Sequence, residues 1–217
     1  MSDSSLVRPY RGVAAGNRIA SRRDALIDAA LEVFAAEGWS AISARRVCEQ
    51  AGLTRRYFYE SFDDIDALTA ATFQRIAGEV FAAVQAATAD RTATVPELAR
   101  RAVAAGLDVL AQPPAKGQFL VMAQRAGGSI GQQRASALDD LASIVQTVHS
   151  TDSEAASTID PREARITALA VVGAVLAIVD SWLAQVSDLS REEVISWSTA
   201  AALGIFDAVT ARQRQPC

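Results

Sequence analysis

Residues 42–62 read Ile-Ser-Ala-Arg-Arg-Val-Cys-Glu-Gln-Ala-Gly-Leu-Thr-Arg-Arg-Tyr-Phe-Tyr-Glu-Ser-Phe. The spacing predicts two short helices joined by a tight turn. Ala44, Val47, Cys48 and Ala51 fall at i, i+3, i+4 and i+7, one face of a helix. Arg45, Arg46, Glu49 and Gln50 are left outside. Ser43 stands where an N-cap hydroxyl accepts from a free backbone N–H. Gly52 stands where the chain can take positive φ and end the helix. Leu53 plugs the corner, and Thr54 caps a second helix that buries Phe58 and Phe62 at i, i+4. Arg55, Arg56 and Tyr59 then share an outward arc of roughly a quarter turn. Two guanidinium groups and a phenol on the exposed side of a short capped helix suit the DNA major groove.

Working outward, the spacing predicts a first helix over residues 21–37, with Ser21 as its cap. Leu26, Ile27, Ala30, Leu31 and Phe34 form its apolar stripe. Arg22 and Arg23 oppose the dipole at its start, an arrangement that a nearby phosphate would relieve. Gly38 ends this helix, and Trp39 packs back under it. Residues 1–19, with Ser, Gly, Pro, Arg8, Arg11 and Arg18, read as a disordered arm. Beyond Phe62, Asp63-Asp64-Ile65-Asp66 places carboxylates at the start of a helix running to about Ala89. Thr94-Val-Pro-Glu97, Asp160-Pro-Arg-Glu163 and Ser190-Arg-Glu-Glu193 mark three more helix starts. Pro113 to Gly117 and Ala126 to Ser129 are breaks, and Ser150 to Thr158 is a loop. Helices are therefore expected near 95–112, 117–125, 131–149, 161–187 and 190–211. No strand pattern or internal repeat is present, so the fold class is all-α.

Half of the 217 residues are hydrophobic, enough for one large domain or two small ones. The net charge of −4 argues against a general nucleic-acid coat. Its distribution is more informative. Residues 1–62 hold nine arginines against seven acidic residues, whereas the rest hold twelve basic against eighteen acidic. The two cysteines, Cys48 on the buried face and Cys217 at the end, are not expected to pair, which fits a reducing cytoplasm. The first ten residues lack the apolar core of a signal peptide. The apolar run Ala168 to Val179, followed by Asp180, reads as too short to span a bilayer.

Leu26 to Leu68 resembles the N-terminal domain of TetR-family transcriptional regulators. The matching elements are Ala-Ala-Leu-Glu-Val-Phe-Ala-Ala-Glu-Gly-Trp (29–39), Val47, Ala51-Gly52-Leu53-Thr54, Tyr59, Phe62 and Ala67-Leu68. The resemblance implies a three-helix helix-turn-helix DNA-binding domain over residues 20–66. A helical ligand-binding and dimerisation domain would follow over 67–217. It also implies a homodimer on a pseudo-palindromic double-stranded DNA operator, most often as a repressor. The second short helix would enter the major groove. Arg55 and Arg56 would read bases, with Tyr57 and Tyr59 on phosphate or a thymine methyl. Ser43, Arg45, Arg46 and Thr54 complete the expected DNA-binding set. The family often carries a lysine near the position of Ile65, so that phosphate contact is missing here.

A small-molecule effector of unknown identity would need an apolar pocket with a few placed polar groups. Phe81, Phe119, Met122, His149, Asp180 and Trp182 are the candidates. Dimerisation is expected through the last two helices, about 161–211. Ala168, Val171, Val172, Ala174, Val175 and Ile178, then Ile195, Ala202, Leu203 and Phe206, exceed one helix stripe. An enzyme is disfavoured: the chain has one histidine, no metal-ligand cluster and no Gly-rich phosphate loop. No cofactor or metal is expected. The alternative is a helical small-molecule-binding or enzyme-like protein that does not bind DNA.

Overall fold

The computed structural model describes residues 11–90, 92–126, 130–150 and 160–213. These form α1 (Arg11–Glu37), a 3₁₀ turn (Trp39–Ala41), α2 (Ala44–Ala51), α3 (Arg55–Ser61) and α4 (Ile65–Ala87). Then follow α5 (Val95–Ala111), α6 (Ala115–Ala126), α7 (Ile130–Ser150), α8 (Pro161–Leu183) and α9 (Arg191–Gln213). Among the described residues there is no strand, and the fold is all-α. The chain divides into two compact units, Met1–Thr72 and Phe73–Cys217, with the division inside α4. That boundary lies beyond the expected one at 66/67, because α4 runs on without a break.

In the first unit α1 packs against α2 and α3. Leu26, Ala30, Val33, Phe34, Val47, Cys48, Phe58 and Phe62 are buried. Trp39 meets Phe34 edge-on at 6.2 Å, as expected of a ring folded back under α1. The start of α1 corrects the sequence reading. It is already helical at Arg11, with no cap at Ser21, so residues 11–19 are helical where an arm was expected. Ala14, Ala15 and Ala20 favour this, since lengthening a formed helix is far easier than nucleating one. The rest of the expected arm, residues 1–10, lies outside the described residues.

The turn between α2 and α3 is closed by backbone chemistry. Gly52 sits at φ 65°, ψ 27°. The Leu53 N–H donates to the Cys48 carbonyl at 2.9 Å, and the Gly52 N–H donates to that of Glu49 at 3.4 Å. This is the pairing that satisfies the last carbonyls of a helix when the following residue is left-handed. A Cβ built on Gly52 meets nothing within 4 Å, so substitution strains the backbone alone. Gly52→Ala should therefore lower unfolding stability by about 1 kcal/mol without a packing defect. Urea titration of both proteins checks this through a shifted midpoint at constant slope.

In the second unit α5, α7, α8 and α9 pack together, with α6 against α5 and α8. Thr94 and Glu97 form a reciprocal capping box at α5, and Ser190 and Glu193 form another at α9. These bonds hold both carboxyls below the usual range, the Thr94 backbone N–H leading for Glu97 and the Ser190 hydroxyl for Glu193. Asp160 accepts from the Arg162 N–H at 2.8 Å at the start of α8. Gly117, expected in a break, lies inside α6. A Cβ there would stand 2.5 Å from Leu183 Cδ2 and 2.9 Å from the Leu110 carbonyl, so glycine lets α6 lie close to its neighbours. Lys116 pairs with Glu79 of α4. The loop expected at 150–158 lies outside the described residues beyond Ser150.

Candidate functional site

The outward face of α3 is set by what its inner face buries. Phe58 is fully buried and Phe62 nearly so, their rings 6.0 Å apart. On a seven-residue helix this leaves Arg55, Arg56 and Tyr59 facing solvent. Tyr59 is 59% exposed and stands edge-on to Phe58. Ser43 caps α2 by accepting from the Arg46 N–H at 3.3 Å. Thr54 differs from expectation. Its carbonyl accepts from the N–H groups of Tyr57 and Phe58, but its hydroxyl makes no capping bond. The backbone turn already fixes the start of α3.

The cations on this face are mostly engaged with carboxylates. Arg56 Nε donates to Glu60 Oε1 at 2.9 Å. Arg22 approaches the other Glu60 oxygen at 3.6 Å and lies 3.8 Å over the Tyr57 ring. Arg45 pairs with Glu49 at 3.0 Å. Arg46 Nε donates to Glu37 at 2.7 Å. These hydrogen bonds push the guanidinium pKa up for Arg46 (Glu37) and for Arg56 (Glu60). Arg23 donates to the Ser61 carbonyl at 3.0 Å and covers the Phe62 ring. Arg55 carries no ion pair among the described residues. The sequence reading left Glu49 on the outer face of α2 and set Glu60 close to the DNA, but it did not pair Glu37, Glu49 or Glu60 with these arginines. Two of them stand at i+4 from an arginine on the same helix, the spacing at which opposite charges meet. Cys48 is buried and unpaired, and burial pushes its thiol up, so it is a packing residue.

The second unit encloses a cavity of about 140 Å³ among α4, α5, α7, α8 and α9. Val84, Leu107, Val145, Val172, Leu176 and Phe206 represent its walls, and the Thr88 hydroxyl is the only polar side-chain group among its described lining. Of the sequence candidates, none with a described side chain lines it. Phe119 is fully buried in α6. Phe81, Met122, Asp180 and Trp182 are partly buried and do not line the cavity. His149 lies on α7, with its side chain outside the described residues. On α4 the cavity is faced by Val80 and Val84, with Thr88 just past the helix end, and Phe81 is turned about 100° from Val80. An aliphatic stripe reads in sequence as plain core, so the lining of this cavity carried no separate signal.

The dimer residues expected on α8 and α9 also need correction. Ala168, Val171, Val172, Ile195 and Ala202 are buried within the unit, while Val175 and Phe206 line the cavity. The apolar surface left outside is a different stripe. On α8 it comprises Ile166, Ala170, Gly173 and Ala177, and on α9 Trp197, Ala200, Gly204 and Ala208. A Cβ built on Gly173 or Gly204 meets nothing within 4 Å. The expectation that the apolar run of α8 is too short for a membrane also needs correction, because the helix does not stop at Asp180. Its 23 residues include a window of mean hydropathy 2.1, long and apolar enough to cross a membrane by length and composition, and 28% of that window is buried in the chain. Its inner face packs on α7 and α9, as in a helical core.

Residues 26–72 match the family model for bacterial regulatory proteins of the tetR family. No curated protein matches the chain. Among solved structures, it is similar in fold to a TetR-like transcriptional regulator from Rhodococcus sp. RHA1. That pair has a TM-score of 0.60 and 22% identity, covering 85% of this chain and 94% of the other. It is also similar to the transcriptional regulator FadR from Bacillus subtilis, solved in complex with stearoyl-CoA. There the TM-score is 0.66 at 16% identity, covering 84% and 96%. FadR from Bacillus halodurans, a fatty acid degradation regulator, gives 0.62 at 15% identity, covering 85% and 94%. The fold of these solved structures thus extends over most of the chain, and residues 26–72 are the part that matches the tetR family of bacterial regulatory proteins.

Proposed function

We propose that two copies of the chain join through α8 and α9 and repress transcription from a pseudo-palindromic operator in the cytoplasm. In each copy α3 enters the major groove, where Arg55 reads a guanine and Tyr59 meets a phosphate or a thymine methyl. Ser43, Arg45 and Arg46 at the start of α2 hold the backbone and set the register. Thr54, Arg56 and Tyr57 complete the contact surface. A small molecule in the cavity of the second unit favours a conformation that no longer fits the two half-sites. FadR solved with stearoyl-CoA supports ligand binding on this fold. The observation that carries the reading is the exposure of Arg55, Arg56 and Tyr59 over buried Phe58, within the family's own domain.

A footprint on the intergenic DNA beside the chain's own gene tests this. The expected result is protection of two half-sites about one helical turn, or a multiple, apart. Absence of protection at low salt overturns the reading. Glu60 provides a quantitative check, since it faces both Arg22 and Arg56. Glu60→Gln removes a negative charge from the face presented to phosphate and frees two guanidinium groups. Exposed pairs are worth only about 0–1 kcal/mol. The variant should bind any duplex several-fold more tightly and show a steeper salt dependence. Fluorescence anisotropy at several salt concentrations measures both.

A further inference from the structure

We infer that Arg22 and Arg23 of α1 are positioning residues for DNA recognition: they grip α3 from behind, fix its rotation and so decide which of its side chains face a base edge. The inference deepens the proposed function and rests on that reading for its effect on DNA; the grip itself does not. α3 has seven residues, of which Phe58 alone is buried. The turn after α2 fixes where α3 starts, but a short helix anchored by one ring can still turn about its own axis. On a helix about 10–12 Å across, a turn of roughly 20° moves a side-chain tip by about 2 Å. That is enough to break a hydrogen bond to a base.

Two holds remove that freedom. Arg22 lays its guanidinium 3.8 Å from the centre of the Tyr57 ring and approaches Glu60 Oε2 at 3.6 Å. Arg23 Nη1 donates to the Ser61 carbonyl at 3.0 Å, and its guanidinium lies 4.3 Å from the centre of the Phe62 ring. Neighbours on a helix diverge by about 100°, so the two side chains straddle α3. One holds its first turn and the other its last, about 6 Å apart along the axis. Ser61 Oγ donates to the Tyr57 carbonyl at 2.9 Å and ties the two points together. A helix C-terminus leaves carbonyls without intrahelical partners and carries partial negative charge. A guanidinium answers both, and a cation over an aromatic face adds attraction. Glu60 passes the hold outward, because its other oxygen accepts from Arg56 Nε at 2.9 Å. Arg22, Glu60 and Arg56 thus form a chain from α1 to the outer face of α3. Since α1 is already helical at Arg11, both arginines stand within a helix and need no phosphate to relieve a helix start.

The test uses the full chain, hydrogen exchange of its amides, and anisotropy on two duplexes at several salt concentrations. One duplex is enriched by the unmodified chain from a library randomised over roughly two helical turns; the other is of random sequence. Arg22→Met combined with Arg23→Met keeps the aliphatic cover and removes both cations. Exchange in α3 should quicken about ten-fold relative to α2. Affinity for the enriched duplex should fall about ten-fold or more, while affinity for the random duplex changes by less than about two-fold at the same salt slope. Equal losses on both duplexes, with a slope shallower by about one for each arginine, would make them phosphate contacts and overturn the inference. Exchange quickened equally in α1, α2 and α3, with both affinities unchanged, would make them plain structural residues and overturn it too. Should the double variant fail to fold, Arg23→Met alone, at an exposed side chain, carries the same comparison. Arg23→Lys keeps a cation and a donor and should restore most of the preference for the enriched duplex; no recovery counts against the grip. If the unmodified chain enriches no sequence, the DNA reading fails, and exchange in α3 decides the grip by itself.

Discussion

Replacing Ala200 by glutamate will leave the chain monomeric and lower its affinity for a two-half-site operator by about a hundred-fold or more. Ala200 lies in the exposed stripe of α9 between Trp197 and Gly204. Trp197 is 62% exposed in the single chain, an unusual position for so large an apolar side chain. Beside it α8 offers Ala170, Gly173 and Ala177, small residues that allow helix backbones to approach closely. Gly173 and Gly204 have open space where side chains would stand. In the proposed dimer a second copy would supply an indole for each such trough, and a carboxylate at position 200 would be desolvated without a partner. Half-sites bound by linked copies gain from effective concentration, and separate copies lose that gain. Sedimentation gives the mass, and anisotropy on one- and two-half-site duplexes gives the affinities. The single-chain fold should persist, since position 200 touches solvent. A dimeric Ala200→Glu protein with unchanged operator affinity refutes this interface.

Arg55→Ala should cost about 1–3 kcal/mol at each half-site, roughly five- to hundred-fold, and relax base preference at one position. Arg55 is the residue of choice because its guanidinium carries no ion pair among the described residues, whereas Arg56 donates to Glu60. It therefore reaches a base edge without first leaving a carboxylate. The control is Ser43→Ala, which removes a capping acceptor and a phosphate donor. It should weaken all sequences alike. Titration of both variants against a panel of single-base operator substitutions distinguishes them. A uniform loss across the panel for Arg55→Ala would make it a phosphate contact, contrary to the base-reading role.

The helix-turn-helix was legible because several independent signals agree there. Ala44, Val47, Cys48 and Ala51 repeat at helical spacing, Ser43 and Gly52 bracket the helix, and Phe58 and Phe62 orient its successor. Those signals concern neighbours in sequence, which is where a sequence holds its information. The start of α1 was missed because Ser21 looks like a cap, while the alanines before it simply extend the helix. The cavity was missed for a different reason. Aromatic and charged residues such as Phe119 and Asp180 attract attention, yet the space is walled by valines and leucines that look like any core. The outer stripe on α8 and α9 was misplaced because every face of α8 is apolar. Only packing reveals which side the chain covers itself.

The carboxylates beside Arg22, Arg45, Arg46 and Arg56 bear on how such a regulator finds its target. A guanidinium already satisfied by an internal partner gains little from a chance phosphate, since it must exchange one anion for another. Encounters with unrelated genomic sequence should therefore be brief, with rapid departure and short sliding runs. Lingering residence is then reserved for sites where Arg55 meets its base and the whole docked surface repays the exchange. Acidic residues on a nucleic-acid face thus act as a brake on indiscriminate adhesion, trading raw grip for a faster and more selective search.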